Sequence, residues 1–458
     1  MSLKKQHLKI FIPVLLLFLF NYLYFIYDVH ESYEMLGDQS RDWRIVSSKD
    51  IQLIGTSISS GGNSLGPIFY WILQLTYHIL GPFFNYLPHI AVYSQSFFFA
   101  LANSFLFYCL AKKYNKSIVF IFSLFILYIT SPILASMAGK SWNPNYAAMF
   151  INLSLAFALY KNILSNGYEK IYKINILVFI TLSWFSVQCH SPALFYFLAS
   201  MLFILIKTKS KRQKFEFLFI SLILVLILQI PFIIHTFSIS SELNNYVGNT
   251  GTATFIHKFL LFQGGFGRGF IFLMNDSSLI LFQVYKIFPL LIIYLLTFIK
   301  VFFFKLYKDS LVQFFLLYIF ITYYGFSCIP SYDRSTYLLN EHLFIIAILP
   351  IIILFNGTIK NAKINVFIQT ICLLIIITLV PYRYSKKESK MEFYSKLVSA
   401  SEKIFITYPE VRSIVLPKFP LAVDSTIIYE GYGGKISEKS NLEAKIDING
   451  NISYNTLH

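Results

Sequence analysis

Residues 10–27 read Ile10-Phe-Ile-Pro-Val-Leu-Leu-Leu-Phe-Leu-Phe-Asn-Tyr-Leu-Tyr-Phe-Ile-Tyr27, with Lys4, Lys5 and Lys9 before them and Asp28 after. A helix crosses a bilayer with about 20 mostly apolar residues, and this run is long enough. Cations ahead of an apolar run also suit a secretory signal. No small-x-small cleavage site follows, so the segment reads as an uncleaved anchor. Comparable runs recur along the chain, and together they give about eleven spans: 8–27, 89–111, 117–133, 142–160, 174–189, 191–206, 215–236, 278–299, 310–328, 336–355 and 364–382.

Composition points the same way. Hydrophobic residues make up 56% of the chain and charged residues 13%, with a mean hydropathy of +0.62. Soluble domains carry roughly 25% charged residues, so this chain is too poor in charge to cover an ordinary water-facing surface. Aromatic residues reach 19%, which suits packing against lipid and belts at headgroup level. Cys109, Cys189, Cys328 and Cys372 lie in or beside apolar runs without CxxC spacing, the pattern of neither a zinc site nor a disulfide framework.

The net charge of +16 is a topology signal. With the N-terminus inside, alternate loops carry Lys112, Lys113 and Lys116; Lys161, Lys170 and Lys173; Lys207, Lys209, Lys211, Arg212 and Lys214; Lys300, Lys305 and Lys308; and Lys360 and Lys363. Short cytoplasmic loops are enriched in such residues. Nucleic acid is therefore not an expected partner. The parity leaves three polar segments outside: 28–88, 238–277 and the tail from 385. The expected architecture is an all-α polytopic membrane protein with interfacial helices in its first external loop. Residues 1–384 form the transmembrane module, and 385–458 a small external α/β domain. In that domain Lys387–Lys403 reads as helix, Ser425–Glu430 as strand and Asn449-Gly450-Asn451 as a hairpin turn.

The first external loop holds Glu34-Met-Leu-Gly-Asp-Gln-Ser-Arg-Asp-Trp43, then Ser59-Ser-Gly-Gly-Asn-Ser-Leu-Gly-Pro67, then an apolar run from Ile68 to Leu80. That run is too short to span and reads as a helix lying in the interface. Tyr70, Gln74, Tyr77 and His78 form its polar stripe, opposite Ile72, Leu75 and Ile79. An acidic loop followed by such a helix suits a polar substrate whose tail remains in lipid.

These features, with Ser141-Trp-Asn-Pro-Asn145 and Gln188-Cys-His-Ser-Pro192, resemble the bacterial GT-C glycosyltransferases. The similarity is to the aminoarabinose-transferase and protein-O-mannosyltransferase-like group (family 39 type), over about the first 200 residues. The resemblance implies a polyprenyl-phosphate sugar donor, an envelope acceptor and inverting transfer at the outer face of the bacterial inner membrane. It places a general base after the first span, where Asp38 stands. The neighbouring Glu of the family is Gln39 here, which weakens the case for a metal; no cofactor is implied, and a divalent cation is not indicated. Asp42, one helical turn on, can share the site. A solvated cap on a loop helix would carry the same charges.

A lipid-phosphate leaving group calls for cations or backbone amides. Arg41, Lys140, Arg268 and Arg334 are the external candidates. Arg268 sits in Gln263-Gly-Gly-Phe-Gly-Arg-Gly269, equally readable as a flexible loop, and Arg334 follows Asp333, a ready ion-pair partner. A charge at the centre of a span costs roughly 2.5–3.5 kcal/mol on insertion scales, so Glu341 and His342 in the tenth span are candidates too. His190 is one more, although a lone interfacial histidine is commonly a hydrogen-bonding group. Trp142 and Asn143 can contact a sugar ring or merely cap a helix before Pro144. Two other classes remain open: an O-antigen-type polymerase or ligase, and a transporter or flippase. The richest motif lies early, no repeat is visible, and the polar groups gather at one face; all three features favour the transferase.

Overall fold

The computed structural model describes residues 3–35, 37–48, 50–56, 65–113, 124–126, 128–129, 134, 138–166, 168, 173–238, 288–303, 305–328, 342, 344–355, 390–416 and 425–457. Spans expected at 117–133 and 364–382, the segment 239–277, and Arg268, Arg334 and Glu341 lie wholly or mainly outside these residues.

The described chain is mainly helical. Its elements are α1 (Leu3–Ser32), α2 (Asp38–Ser47), α3 (Ile68–Leu80), α4 (His89–Lys113), α5 (Asn143–Tyr160), α6 (Lys173–Cys189) and α7 (Leu194–Lys207). There follow α8 (Lys211–Leu228), α9 (Ile230–Ser238), α10 (Phe288–Phe303), α11 (Ser310–Ser327) and α12 (Leu349–Phe355). Among the described residues, two helices are long and apolar enough to cross a membrane: Ile12–His30 within α1, and α4. They differ in setting, since 22% of the first stretch is buried and 72% of the second. Shorter apolar helices include α6, α10, α11 and the stretch from Ser191 through α7. The run read as one span over 215–236 is two helices. Pro231 lacks an N–H and so stands in the first turn of α9, where helical N–H groups have no partner in any case.

Aromatic contacts join α1 to α4, with Phe25 against Phe99 at 5.5 Å and Phe18 against Phe97 at 5.1 Å. The inner helices are joined by buried polar groups. Asn152 Nδ2 of α5 donates to Asn103 Oδ1 of α4 at 2.8 Å and to Tyr128 Oη at 3.3 Å. Ser154 of α5 bonds Ser183 of α6 at 2.7 Å, and Tyr196 Oη of α7 donates to Ser154 Oγ at 3.2 Å. Such bonds between membrane helices average about 0.6 kcal/mol each, so they fix register more than they supply stability.

Loops rich in lysine gather at one end of the bundle. Lys113 pairs with Asp309 at 3.1 Å, Lys207 bonds Gln313, Lys173 pairs with Glu216 at 2.5 Å, and the Tyr168 amide donates to Thr208 Oγ1 at 3.1 Å. Lys161 lies 4.7 Å over the Tyr160 ring. At the opposite end, the C-terminus of α1, the start of α4 and the turn before α5 meet the C-terminal unit.

That unit contains α13 (Lys390–Thr407), α14 (Ser425–Gly431) and five short strands: β1 (Glu410–Val411), β2 (Ser413–Val415), β3 (Lys435–Ile436), β4 (Leu442–Ile446) and β5 (Ile452–Thr456). Strand β1 runs parallel to β3, β2 parallel to β4, and β4 antiparallel to β5 with Ala444 opposite Tyr454. The expected hairpin turn is present. Gly450 takes φ +84°, and Asp447 Oδ1 accepts from the Asn449 and Asn451 amides at 2.8 Å each. Ser425–Glu430 is helix, contrary to the strand reading. Ile427, Ile428 and Tyr429 are buried in succession, which a half-exposed strand cannot do. Tyr429 Oη also donates to the Tyr408 carbonyl at 2.7 Å.

Backbone passes close to backbone at Gly139, whose carbonyl accepts from the Glu34 amide at 3.0 Å. A Cβ there would lie 2.3 Å from the Ser32 carbonyl carbon and oxygen. Gly139→Ala is therefore expected to cost at least about 1–3 kcal/mol, because backbone on both sides must shift. Thermal unfolding in detergent measures it, and an unchanged midpoint would contradict this packing.

Candidate functional site

Helix α2 begins at Asp38 directly after Gly37, whose φ of +56° and ψ of −112° are open to glycine and strained for other residues. Spacing then places Asp38 and Asp42 one turn apart with Arg41 between them. Asp42 Oδ1 accepts from Arg41 Nε at 3.0 Å, Arg41 Nη2 at 2.8 Å and Tyr70 Oη at 2.9 Å. Arg41 Nη1 reaches the other way, to Asp38 Oδ1 at 3.0 Å. The two carboxylates differ sharply in access: the Asp42 side chain is 2% exposed and that of Asp38 54%.

Burial pushes the Asp42 carboxyl up from 3.8 to about 6, with Arg41 and Tyr70 only partly offsetting the lost hydration. Tyr70 is raised too, by burial first and then by the adjacent carboxylate, so it remains a donor at neutral pH. Asp42 Oδ2 is buried with no hydrogen-bond partner. Protonation at that oxygen removes the charge that burial disfavours.

Helix α3 carries the partner of Asp42 and corrects one expectation. Two of the four residues of its polar stripe are turned away from water, while Tyr77 is half-buried and His78 exposed. Tyr70 and Gln74 are buried, and Gln74 Nε2 donates to the Asp50 carbonyl at 2.8 Å. Trp71 Nε1 donates to Gln52 O at 2.7 Å, so residues 50–52 run along the helix. Tyr77 packs on Trp43 at 5.3 Å, whose indole donates to Tyr86 O at 3.2 Å. The exposed face is the apolar one: Leu75 is 58% exposed, Ile79 54% and, just beyond the helix, Phe83 79%. On the side of α3 away from α2 a cleft of about 520 Å³ runs between α3, α1 and α4, walled by Ile72, Leu75, Ile79, Tyr22, Tyr93 and Phe97.

The remaining candidates fall into two groups. Asn143 Nδ2 donates to the Cys189 carbonyl at 2.9 Å, which ties Ser141–Asn145 to Gln188–Pro192. Gly66 belongs here as well, since a Cβ on it would lie 2.4 Å from the Gln188 side chain, itself bonded to Leu228 O at 2.7 Å. His190 is buried; so is His342, which bonds the Tyr318 hydroxyl and lies 3.2 Å from the Pro192 carbonyl. Phe69 against Tyr146 at 5.4 Å links this group to the start of α3, hence to Tyr70 and Asp42.

Lys140 forms the other group. It pairs with Glu34 at 2.7 Å, and Glu34 also pairs with Lys390 at 3.1 Å. Burial raises the Glu34 carboxyl, but the two lysines outweigh it and hold it below its usual value. Lys140 is thus engaged with a carboxylate. Trp142 is half-buried, and its amide donates to Gln95 Oε1 at 3.0 Å. Sequence reading missed Tyr70 and Glu34 as partners. Nothing local marks either one, since their partners are distant in the chain. Among the described residues no three His, Cys, Asp or Glu side chains come together as metal ligands would. No family model, curated protein or solved structure matches the chain.

Because Asp42 binds its proton more tightly in the fold, its contribution to stability is full below about pH 4 and is lost as pH rises through about 6. The whole change is worth roughly 3 kcal/mol at ~1.36 kcal/mol per pH unit. Thermal unfolding from pH 4.5 to 7.5 should show wild type losing stability relative to Asp42→Asn. Parallel pH profiles would contradict the buried-carboxyl assignment.

Proposed function

We infer that the chain is a membrane glycosyltransferase of GT-C type, moving a sugar from a polyprenyl-phosphate donor to an envelope acceptor at the outer face of the inner membrane. The observation that carries this reading is the arrangement on α2. One guanidinium is shared between a buried carboxylate that fixes it and an exposed carboxylate that it holds beside solvent.

The chemistry follows from that asymmetry. An acceptor hydroxyl is a weak nucleophile until a base takes its proton. Asp38, half-exposed at the first turn of α2, is the accessible base, and Asp42 is too enclosed to meet an acceptor. The acceptor oxygen bonds to the anomeric carbon as the bond from that carbon to the phosphate oxygen breaks. The proton passes to Asp38, and the electron pair leaves with the polyprenyl phosphate. Arg41 is positioned to receive that phosphate. Its Asp42 side is enclosed, whereas its bond to Asp38 lies in solvent, where an ion pair is worth about 0–1 kcal/mol and is readily exchanged.

Placement in about eleven spans, N-terminus inside and C-terminus outside, is supported by the segregation of charge. Lysine-rich loops meet at one end of the bundle, and Glu34 and α2 meet the C-terminal unit at the other. The apolar face of α3 supports an interfacial position, with Leu75, Ile79 and Phe83 turned toward lipid.

The test is transfer from a radiolabelled polyprenyl-phosphate hexose to a crude envelope extract by purified protein. Wild type should label an extract component, and folded Asp38→Asn should do so about 10²–10⁴-fold more slowly. Undiminished transfer by Asp38→Asn would remove Asp38 as the base, and movement of the donor across the membrane without transfer would replace this reading with transport.

A further inference from the structure

Helix α2 packs on α3 through Asp42 on Tyr70 and Trp43 on Tyr77, and has another side turned away from α3. What lies there is the C-terminal unit. Arg44, two positions beyond Asp42, bonds Thr426 Oγ1 of α14 and stands 3.8 Å from Glu430 Oε2. A Cβ on Gly431, at the end of the same short helix, would come 3.3 Å from the Asn85 carbonyl, beside the Tyr86 carbonyl that receives Trp43 of α2. Helix α13 grips the entry to α2. Its Lys390 pairs with Glu34 at 3.1 Å, and its Tyr394 packs edge-on against Tyr33 at 4.7 Å while bonding His89 Nδ1 at 3.2 Å. Glu34 holds Lys140 with its other oxygen, so one carboxylate ties the start of the loop, the turn before α5 and the C-terminal unit.

We propose that the C-terminal unit is a clamp that positions the carboxylate helix, with Arg44 and Glu430 as its positioning pair and Glu34 as its anchor. The proposal rests on the transferase reading for its consequence and on contacts alone for its geometry. Inner contacts to Tyr70 and Trp43 hold one face of α2, and the clamp holds the other. Because Asp42 is enclosed only while α2 is seated, releasing the clamp admits water to Asp42 and lets Arg41 and Asp38 drift from the register that transfer needs. The pair itself is half-exposed, at 49% for Arg44 and 43% for Glu430, so its loss leaves the bundle core untouched.

Full-length protein in phosphatidylcholine nanodiscs tests the clamp through Arg44→Glu, Glu430→Arg and the double variant. Two readouts need no substrate: hydrogen exchange of amides 38–47, and the carboxyl stretch of Asp42 followed against pH by infrared difference against Asp42→Asn. Each single variant should speed α2 exchange about two- to fivefold, the reach of an ion pair exposed to this degree, and lower the Asp42 midpoint from about 6, while exchange in α4 and α5 stays unchanged. The charge-swapped double variant should restore both. Unchanged α2 exchange in the single variants, or loss of protection across the whole bundle, would overturn the clamp. Clamp readouts that behave as expected while wild type transfers no sugar would leave the clamp standing and remove the transferase reading instead.

Discussion

A carboxylate removed from water is expensive unless charges and hydrogen bonds replace its hydration, and Asp42 is almost wholly removed. Its compensation comes from Arg41 on its own helix and from Tyr70 on α3. That requirement seats α2 on α3 and turns the polar side of α3 inward. An apolar face is left outside, with Leu75, Ile79 and Phe83 exposed. The same arrangement leaves Asp38 at the solvent edge of the guanidinium. One buried group thereby sets the pose of the loop helix, the exposed aspect of α3 and the access of the second carboxylate.

The bundle beneath has a different logic. Its helices are apolar nearly all round, so shape and a few internal polar bonds decide which faces meet. Asn103 with Asn152 and Ser154 with Ser183 fix α4, α5 and α6 against one another. Gly139 and Gly66 permit close passage where the chain crosses α1 and meets Gln188. Lysine-rich loops meet at one end, where Lys113, Lys173 and Lys207 find partners from neighbouring loops.

Much of this was legible in the sequence where the signal is local. Apolar runs located α1, α4, α5, α6 and α11 to within a few residues, because length and hydropathy depend on no partner. The Asn449-Gly450-Asn451 turn was equally readable, since a positive φ calls for glycine. Asp38 was reached through the family resemblance, and helix geometry added only that Asp42 stands one turn from it, as it does in α2. Readings that depend on distant partners failed. Tyr70 and Gln74 looked like a wet stripe because nothing near them in the chain shows Asp42 or Asp50 waiting on the other side. The pairing of Lys140 with Glu34 was not legible either, because the two are remote in sequence. Ser425–Glu430 has a strand composition, and its packing beneath Phe405 and Tyr408 overrode that propensity.

On the proposed transferase reading, α2, with Asp38 and Arg41 on one helix, faces the phosphate of a lipid-linked donor. A polyprenyl phosphate carrying a photoreactive group beside the phosphate tests it most directly, by mapping crosslinked peptides of the full-length protein in nanodiscs. The account predicts crosslinks concentrated in residues 37–48 and reduced by Arg41→Gln. Crosslinks confined to the lysine-rich end, around residues 207–214 or 305–309, would contradict it.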